Sequence, residues 1–426
     1  MNISLNPPSG TSDYYPLDIK FRDWLLNIWG DISKQYSFYE YDAPIIENST
    51  LYTYKEGNDI LKEMFKLDSN DLVLRPEMTP SLARMIINKI PSEIVPIKWF
   101  SKSQCWRNET TTRGRRREFY QWNVDIFCGE NVKSELELFS MLVSFFKKIG
   151  LTSNDVVIKV SNRKIIQKIL LNLGAHEQSV LKILNIIDKM DKLPKEEIQQ
   201  LFSQVDLENN IVDIIYNIIS VKDIKDMEKF IGDDDIDFKE ILNIFLFAQK
   251  IGIGDWLQFD ASIVRGLSYY NGIVFEGYFK NTQITRAICG GGRYDNILCT
   301  YGYNKNVSSI GFGMGNCVIM EGLQELNLLP KLFLSVDYVV IPFNDEYYCD
   351  AFLISEKVRN KGFSVDLYSK KGKIKNAFSY ADRKNAKFVI FVAGEWKDGN
   401  IVVKDLKSNE NKQITINFDE YLDNLV

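Results

Sequence analysis

Residues 105–125 hold the densest concentration of chemically useful side chains in the chain. Arg107 and Glu109 stand two residues apart, and a Thr/Arg/Gly turn follows in which Arg113, Arg115, Arg116 and Arg117 place four arginines within five residues. An alternating, aromatic-rich stretch then runs from Phe119 through Gln121 to Asp125. Guanidinium is planar and permanently charged, and it binds phosphate oxygens through two parallel N–H bonds. A strand–basic turn–strand hairpin would offer these groups to a polyanion. The competing reading is a solvated basic turn, the ordinary fate of a charge run.

Three further segments bear on the choice. In Leu74-Arg75-Pro76-Glu77-Met78-Thr79 a strand ends at proline and leaves Glu77 and Thr79 at the sheet edge. A carboxylate and a hydroxyl suit an ammonium group, although a plain surface turn fits the same residues. In Ser262–Gly272, Arg265 sits beside Gly266 and ahead of Tyr269 and Tyr270 in otherwise apolar surroundings. An unpaired buried charge is costly, so Arg265 requires an anion, either a ligand or a structural partner. In Cys289–Asp295, Gly290, Gly291 and Gly292 let a backbone approach a ligand closely. No helix pattern of a phosphate loop or dinucleotide fingerprint follows them.

Together these parts comprise separate cations, an ammonium acceptor and a glycine-floored pocket. Attack of a carboxylate on a nucleotide α-phosphate uses such a set, because charge builds on the phosphoryl oxygens and fixed arginines with Mg²⁺ stabilise it. No side-chain nucleophile is needed. That suits a chain whose only histidine, His176, follows Leu173-Gly174-Ala175, where a helix would end. Triads and histidine metal sites would have to be built on that one residue. The six cysteines form no Cys-x-x-Cys pair, so neither a zinc site nor a disulfide framework is expected, and no metal ligand set is assigned.

The elements that must position these residues are legible as periodicities. Phe21, Leu25, Ile28 and Ile32 predict a helix over 17–35. Ser134-x-x-Glu137 reads as a capping box opening a helix over 134–149. Strands are expected at Asp71–Arg75, Ile97–Trp106 and Glu118–Phe127, in an antiparallel sheet, with strand-like sequence again at Gly272–Gly277. From 163 to 250 leucine, isoleucine and lysine dominate at helical spacing, which predicts a helical insertion. After Pro330, short apolar strands at Tyr338–Ile341, Val365–Tyr368, Phe388–Val392 and Ile401–Val403 alternate with helices near 346–360 and 373–384. That alternation predicts a separate α/β domain with a mainly parallel sheet. The expected class is α+β, divided as 1–162 and 251–330 for a catalytic core, 163–250 for the insertion and 335–426 for the last domain.

With 426 residues, 45% hydrophobic and 26% charged, the chain has ample core for several domains. A net charge of −5 confines any nucleic-acid contact to local patches. No apolar run approaches the ~20 residues of a membrane span. The first residues carry neither a secretory nor a transit-peptide pattern, so a cytoplasmic location without membrane attachment is expected.

The chain resembles the histidyl-tRNA synthetase family of class II aminoacyl-tRNA synthetases along nearly its whole length. Pro8–Pro16 is similar to the family's N-terminal signature. Trp106-Arg107-Asn108-Glu109 with Arg115-x-x-x-Phe119 is similar to class II motif two. Val264-Arg265-Gly266-Leu267-Ser268-Tyr269-Tyr270 and Gly291-Gly292-Arg293-Tyr294-Asp295 resemble the two histidine-specific motifs. The C-terminal part, with Tyr380-Ala381-Asp382 and Ile401–Leu406, resembles the family's anticodon-binding domain.

The resemblance implies an ATP-dependent ligase that makes histidyl-adenylate and passes histidine to tRNA(His), with Mg²⁺ accompanying the nucleotide. Arg107 would hold the α-phosphate and the histidine carboxylate, and Arg265 would stabilise the α-phosphate from the other face, these two being the catalytic residues. Glu109 would face the adenine or ribose, Phe119 would stack on adenine and Arg115 would bind the outer phosphates. Glu77 and Thr79 would take the histidine ammonium and Gln121 its carboxylate side. Asp125 and Tyr270, with Tyr269 beside them, would read the imidazole. A homodimer is implied through motif one, here Tyr41–Leu51 with Pro44. Two departures stand out. Asp125 replaces a commoner glutamate, and Val318 occupies the place of the motif-three arginine that covers adenine. The alternative within the same lineage is the regulatory paralogue that partners ATP phosphoribosyltransferase and charges no tRNA. It usually lacks the anticodon-binding domain and erodes the motif-two arginines, both of which this chain keeps.

Overall fold

The computed structural model of the chain describes residues 3–53, 63–67, 71–190, 193–205, 209–264, 269–370, 373–408 and 412–425. It divides into two units, one of Met1–Asp13 with Arg22–Leu329 and one of Tyr14–Phe21 with Pro330–Val426.

The first unit is built on an eight-stranded sheet. Its strands are β1 (Tyr39–Glu40), β4 (Ile97–Trp106), β5 (Glu118–Phe127), β6 (Val156–Asn162), β7 (Leu257–Phe259), β8 (Ile273–Phe279), β9 (Cys289–Arg293) and β10 (Ser309–Gly315). They lie in the order β1-β4-β5-β10-β9-β8-β6-β7. The six central strands are antiparallel, and β1 and β7 add parallel edges. Two short strands, β2 (Ile46–Asn48) and β3 (Leu72–Leu74), pair separately, so the strand expected at Asp71–Arg75 lies outside the main sheet.

Alternation along β5 sorts its two faces. Trp122, Val124 and Ile126 join the main core with Leu25, Trp29 and Ile32 of the helix Pro16–Gln35 and with Leu138, Leu142 and Phe145 of the helix Lys133–Lys148. Trp122 stacks on Trp29 at 5.9 Å and meets Phe145 and Phe312 edge-on at 5.4 and 5.1 Å. Phe119, Gln121, Asn123 and Asp125 therefore point to the opposite face.

The capping-box expectation at Ser134 is corrected. Val132, at φ 68°, takes the N-cap position without a side-chain cap, and Ser134 falls inside the first turn, buried. Helices from Arg163–Asn172 to Ile236–Lys250 fill the 163–250 segment and share the main core through Ile166, Ile183 and Ile241.

The second unit has a five-stranded sheet of β11 (Tyr338–Pro342), β12 (Val365–Leu367), β13 (Phe388–Val392), β14 (Asn400–Asp405) and β15 (Gln413–Asn417). The order is β12-β11-β13-β14-β15. The first three are parallel, joined through the helices Tyr348–Asn360 and Ile374–Arg383. β14 and β15 are antiparallel, so the mainly parallel expectation is corrected to a mixed sheet. Only residues 393–399 separate β13 from β14, too few for the crossover that a parallel pair needs. β15 was not anticipated. It is a short, largely exposed edge strand, Gln-Ile-Thr-Ile-Asn.

Candidate functional site

The non-core face of β5 meets an unusual surface on β10 and β9. Gly311 pairs with Asp125 on one side and with Gly292 on the other, while Gly313 pairs with Asn123 and Gly290. A Cβ on Gly311 would lie 2.2 Å from Asp125 Oδ1, and one on Gly313 would lie 2.1 Å from Gln121 Nε2. One on Gly292 would lie 2.8 Å from Tyr270 Cδ1. Side chains from β5 and from Tyr270 thus lie across backbone, which only glycine permits at those distances.

At one end of this floor opens a cavity of about 1370 Å³. Arg107, Glu109, Arg115, Phe119 and Gln121 line it together with Gly290 and Gly313. Arg107 donates from Nε to the Pro76 carbonyl at 2.9 Å, and its guanidinium sits 5.4 Å from the centre of the Phe119 ring. Arg115 pairs with Glu109, and burial followed by the nearby Arg286 charge lowers its pKa. Glu109 Oε1 and Gln121 Oε1 are buried and have no hydrogen-bond partner among the described residues. Buried acceptors of this kind call for a donor that none of the described residues supplies.

The basic loop is anchored rather than free. Arg113 pairs with Glu321 at 3.0 Å and Glu325 at 2.6 Å, both on the helix Asn316–Glu325. Gly114 N donates to Glu321 Oε1 at 2.8 Å, and Arg116 donates to Ser12 Oγ at 2.6 Å. The turn is exposed at Arg113 and Arg116 yet tied down by these contacts. One of the four arginines is held by acidic side chains of that helix, and Arg115 and Arg116 face the cavity.

Beyond the glycines, Asp125 is 5% exposed and accepts a hydrogen bond from the Tyr294 hydroxyl. Burial lifts its pKa from 3.8 to about 7, against the opposing effect of that hydrogen bond. The Tyr294 hydroxyl is raised well above its ordinary value, by burial first and then by the Asp125 charge. Tyr269 and Tyr270 pack at 4.6 Å from each other and at 5.9 and 6.3 Å from Tyr294. The result is a titratable carboxyl inside a tyrosine cage.

The two groups, cavity and cage, share β5. Glu77, buried, and Thr79, half-buried at the start of the helix Thr79–Lys89, follow Pro76, whose carbonyl accepts from Arg107, and neither lines the cavity. Arg265 lies outside the described residues. Sequence reasoning did not single out Tyr294 as the partner of Asp125, nor Arg286 in the cavity wall. The first stood in a quoted motif, and only its hydroxyl geometry reveals the pairing. The second had no local signal. Arg293 was also quoted, and the structure gives it a buried pair with Glu135 at 2.5 Å.

An antiparallel sheet that carries an arginine-bearing hairpin against glycine strands is the catalytic architecture of a class II aminoacyl-tRNA synthetase. Residues 10–316 match the model of the histidyl-tRNA synthetase family, and residues 337–426 match that of the anticodon binding domain. The chain is 41% identical to the chloroplastic/mitochondrial histidine–tRNA ligase of Arabidopsis thaliana, over 97% of this chain and 86% of that protein. It is 30% identical to the histidine–tRNA ligase of Leptospira biflexa, over 97% of this chain and 95% of that one. In fold it is similar to the histidyl-tRNA synthetase of Nostoc sp. PCC 7120, with a TM-score of 0.79 at 19% identity and full coverage of both chains. The apo S. aureus enzyme gives 0.76 at 21% identity, over 99% of this chain and 100% of that one. The chain belongs to the histidyl-tRNA synthetase family.

Proposed function

We propose that the chain is a histidine–tRNA ligase whose two half-reactions run on the β5 face. The histidine carboxylate oxygen attacks the α-phosphorus of MgATP, the bond to the β-phosphate oxygen breaks, and pyrophosphate leaves with the electron pair. A ribose hydroxyl at the 3′ end of tRNA(His) then attacks the carbonyl carbon of the histidyl-adenylate, the bond to the α-phosphate oxygen breaks, and AMP leaves with the electron pair. Arg107 holds the α-phosphate and carboxylate, and Arg265 completes the charge stabilisation. Phe119 stacks on adenine, Glu109 faces the adenine or ribose and Arg115 takes the outer phosphates. Glu77 and Thr79 bind the ammonium, Gln121 the carboxylate side, and Asp125 with Tyr269 and Tyr270 the imidazole. A neutral imidazole has one donor and one acceptor, which a carboxyl and a phenol can satisfy together.

The observation that carries this reading is the continuity along one strand, with an arginine-lined cavity at Phe119 and Gln121 and a tyrosine-caged carboxyl at Asp125. The test is amino-acid-dependent ATP–pyrophosphate exchange across the twenty amino acids. Exchange with histidine alone is expected, and exchange with another amino acid would reassign the cage.

Residues 1–162 and 251–330 then form the catalytic core, 163–250 an insertion and 335–426 the anticodon reader. A homodimer through Tyr41–Leu51 fits the side chains there, since Ile45 and Ile46 are each 48% exposed. Sedimentation of an Ile45→Asp, Ile46→Asp double variant would test it, with monomers as the expected species. No helix among the described residues is long and apolar enough to cross a membrane. A cytoplasmic location is the proposal, to be tested by fractionation, given that the Arabidopsis relative is named as an organelle protein.

A further inference from the structure

Arg286 lies between β8 and β9, half-buried, and lines the same cavity as Arg115, Phe119 and Val318. A Cβ placed on Gly114 would meet Val318 Cγ2 at 3.0 Å and Arg286 Cδ at 3.8 Å, so both side chains flank the tip of the basic loop. Val318 is apolar and 7% exposed, so the helix it belongs to offers no cation at that point.

The charges around it are unevenly matched. Arg113 is tied to Glu321 and Glu325, and Arg115 to Glu109 and, at 3.6 Å, to Glu63. Arg286 forms no ion pair among the described residues, and its charge, after burial, helps to lower the Arg115 pKa. Two guanidinium groups gathered in one cavity repel each other. The arrangement becomes favourable when an anion carrying several charges enters between them.

We propose that Arg286 binds the β- and γ-phosphates of ATP opposite Arg115 and holds the departing pyrophosphate. This rests on the ATP-dependent reading above and adds a residue to it. As the α-phosphorus gains its bond to the histidine carboxylate and loses its bond to the bridging oxygen, negative charge moves onto the pyrophosphate. Arg286 is placed to neutralise that charge without any proton transfer.

The test uses full-length wild-type, Arg286→Ala and Arg286→Lys proteins in ATP–pyrophosphate exchange. It also uses the reverse reaction, pyrophosphorolysis of preformed histidyl-adenylate at varied pyrophosphate. Losing a charge-assisted contact should raise the ATP KM and the pyrophosphate requirement of Arg286→Ala by roughly tenfold to a hundredfold. The histidine KM and AMP inhibition should stay within about twofold, and lysine should restore part of the loss, as a point charge without the bidentate fork. An unchanged pyrophosphate requirement overturns the proposal. So does weakened AMP inhibition with normal pyrophosphate use, which would put Arg286 on the base. If Arg286→Ala melts well below wild type, Arg286→Lys carries the test, with a smaller shift confined to ATP and pyrophosphate as the expected result and none as the overturning one. Failure of the wild type to exchange with histidine would instead overturn the underlying functional reading.

Discussion

Asp125 is a carboxyl that the fold keeps close to neutrality. Its pKa rises from 3.8 to about 7 through burial. A carboxyl whose folded pKa is raised keeps its proton in the fold while the unfolded chain has already lost it. Its contribution to stability therefore falls as pH rises between those two values and is level above the higher one. Asp125→Asn should thus gain in melting temperature over wild type from about pH 4 to pH 7 and hold that gain above, and a flat difference would contradict the shift. In catalysis, Asp125→Ala should raise the histidine KM by roughly a hundredfold or more while the ATP KM changes within a few-fold, because a site built on polar partners loses most when one is removed. Equal changes in both would make Asp125 structural. Val318→Arg is expected not to improve ATP use. The valine is 7% exposed and packs 3.0 Å from where a Gly114 Cβ would stand, so an arginine there would disturb the loop. A lower ATP KM in that variant would refute this. At this scale the sequence made the residue types plain but not the partners. Tyr294 and Asp125 are 169 residues apart, and nothing local links them.

The glycine strands show why elements were only partly legible. β4 and β5 appear in the sequence with their observed ends, because alternation and aromatic content write the pattern locally. β9, Cys-Gly-Gly-Gly-Arg, has no such pattern, because glycine is a poor strand former in isolation. It becomes a strand because β8 and β10 flank it and supply both ladders. The mixed C-terminal sheet was misread for a related reason, since pairing direction depends on the length of a connection rather than on the apolar run. The glycine at 311 carries the sharpest consequence. A Cβ there would stand 2.2 Å from Asp125 Oδ1, 2.6 Å from the Tyr294 hydroxyl oxygen and 2.7 Å from the Val124 carbonyl oxygen. The carbonyl belongs to a paired strand and cannot step aside. Gly311→Ala should cost about 1–3 kcal/mol of stability by overpacking and should raise the histidine KM more than the ATP KM. Denaturant melts and exchange kinetics check both, and an unaltered histidine KM would show that the glycine floor does not shape the histidine pocket.

On the scale of the whole molecule, the candidate site residues that the structure describes all lie in the first unit. The second unit has its own apolar clusters, one around Val340, Ile354 and Val403 and another around Val339, Ala377 and Val389. The composition break near Pro330 made that separation legible, since β/α alternation replaces antiparallel alternation there. A chain built this way can divide its labour, with chemistry in one unit and tRNA reading in the other. Removing residues from 335 onward should leave histidine-dependent pyrophosphate exchange within a few-fold of wild type. Charging of tRNA(His) should fall by roughly tenfold or more, equivalent to losing upwards of about 1.4 kcal/mol of productive tRNA contact. Both reactions are measured on one preparation, so retained exchange certifies that the remaining unit is folded while charging reports on the lost one. If exchange persists and charging is unchanged at limiting tRNA, residues 335–426 do not read the anticodon, and their β/α sheet serves some other partner.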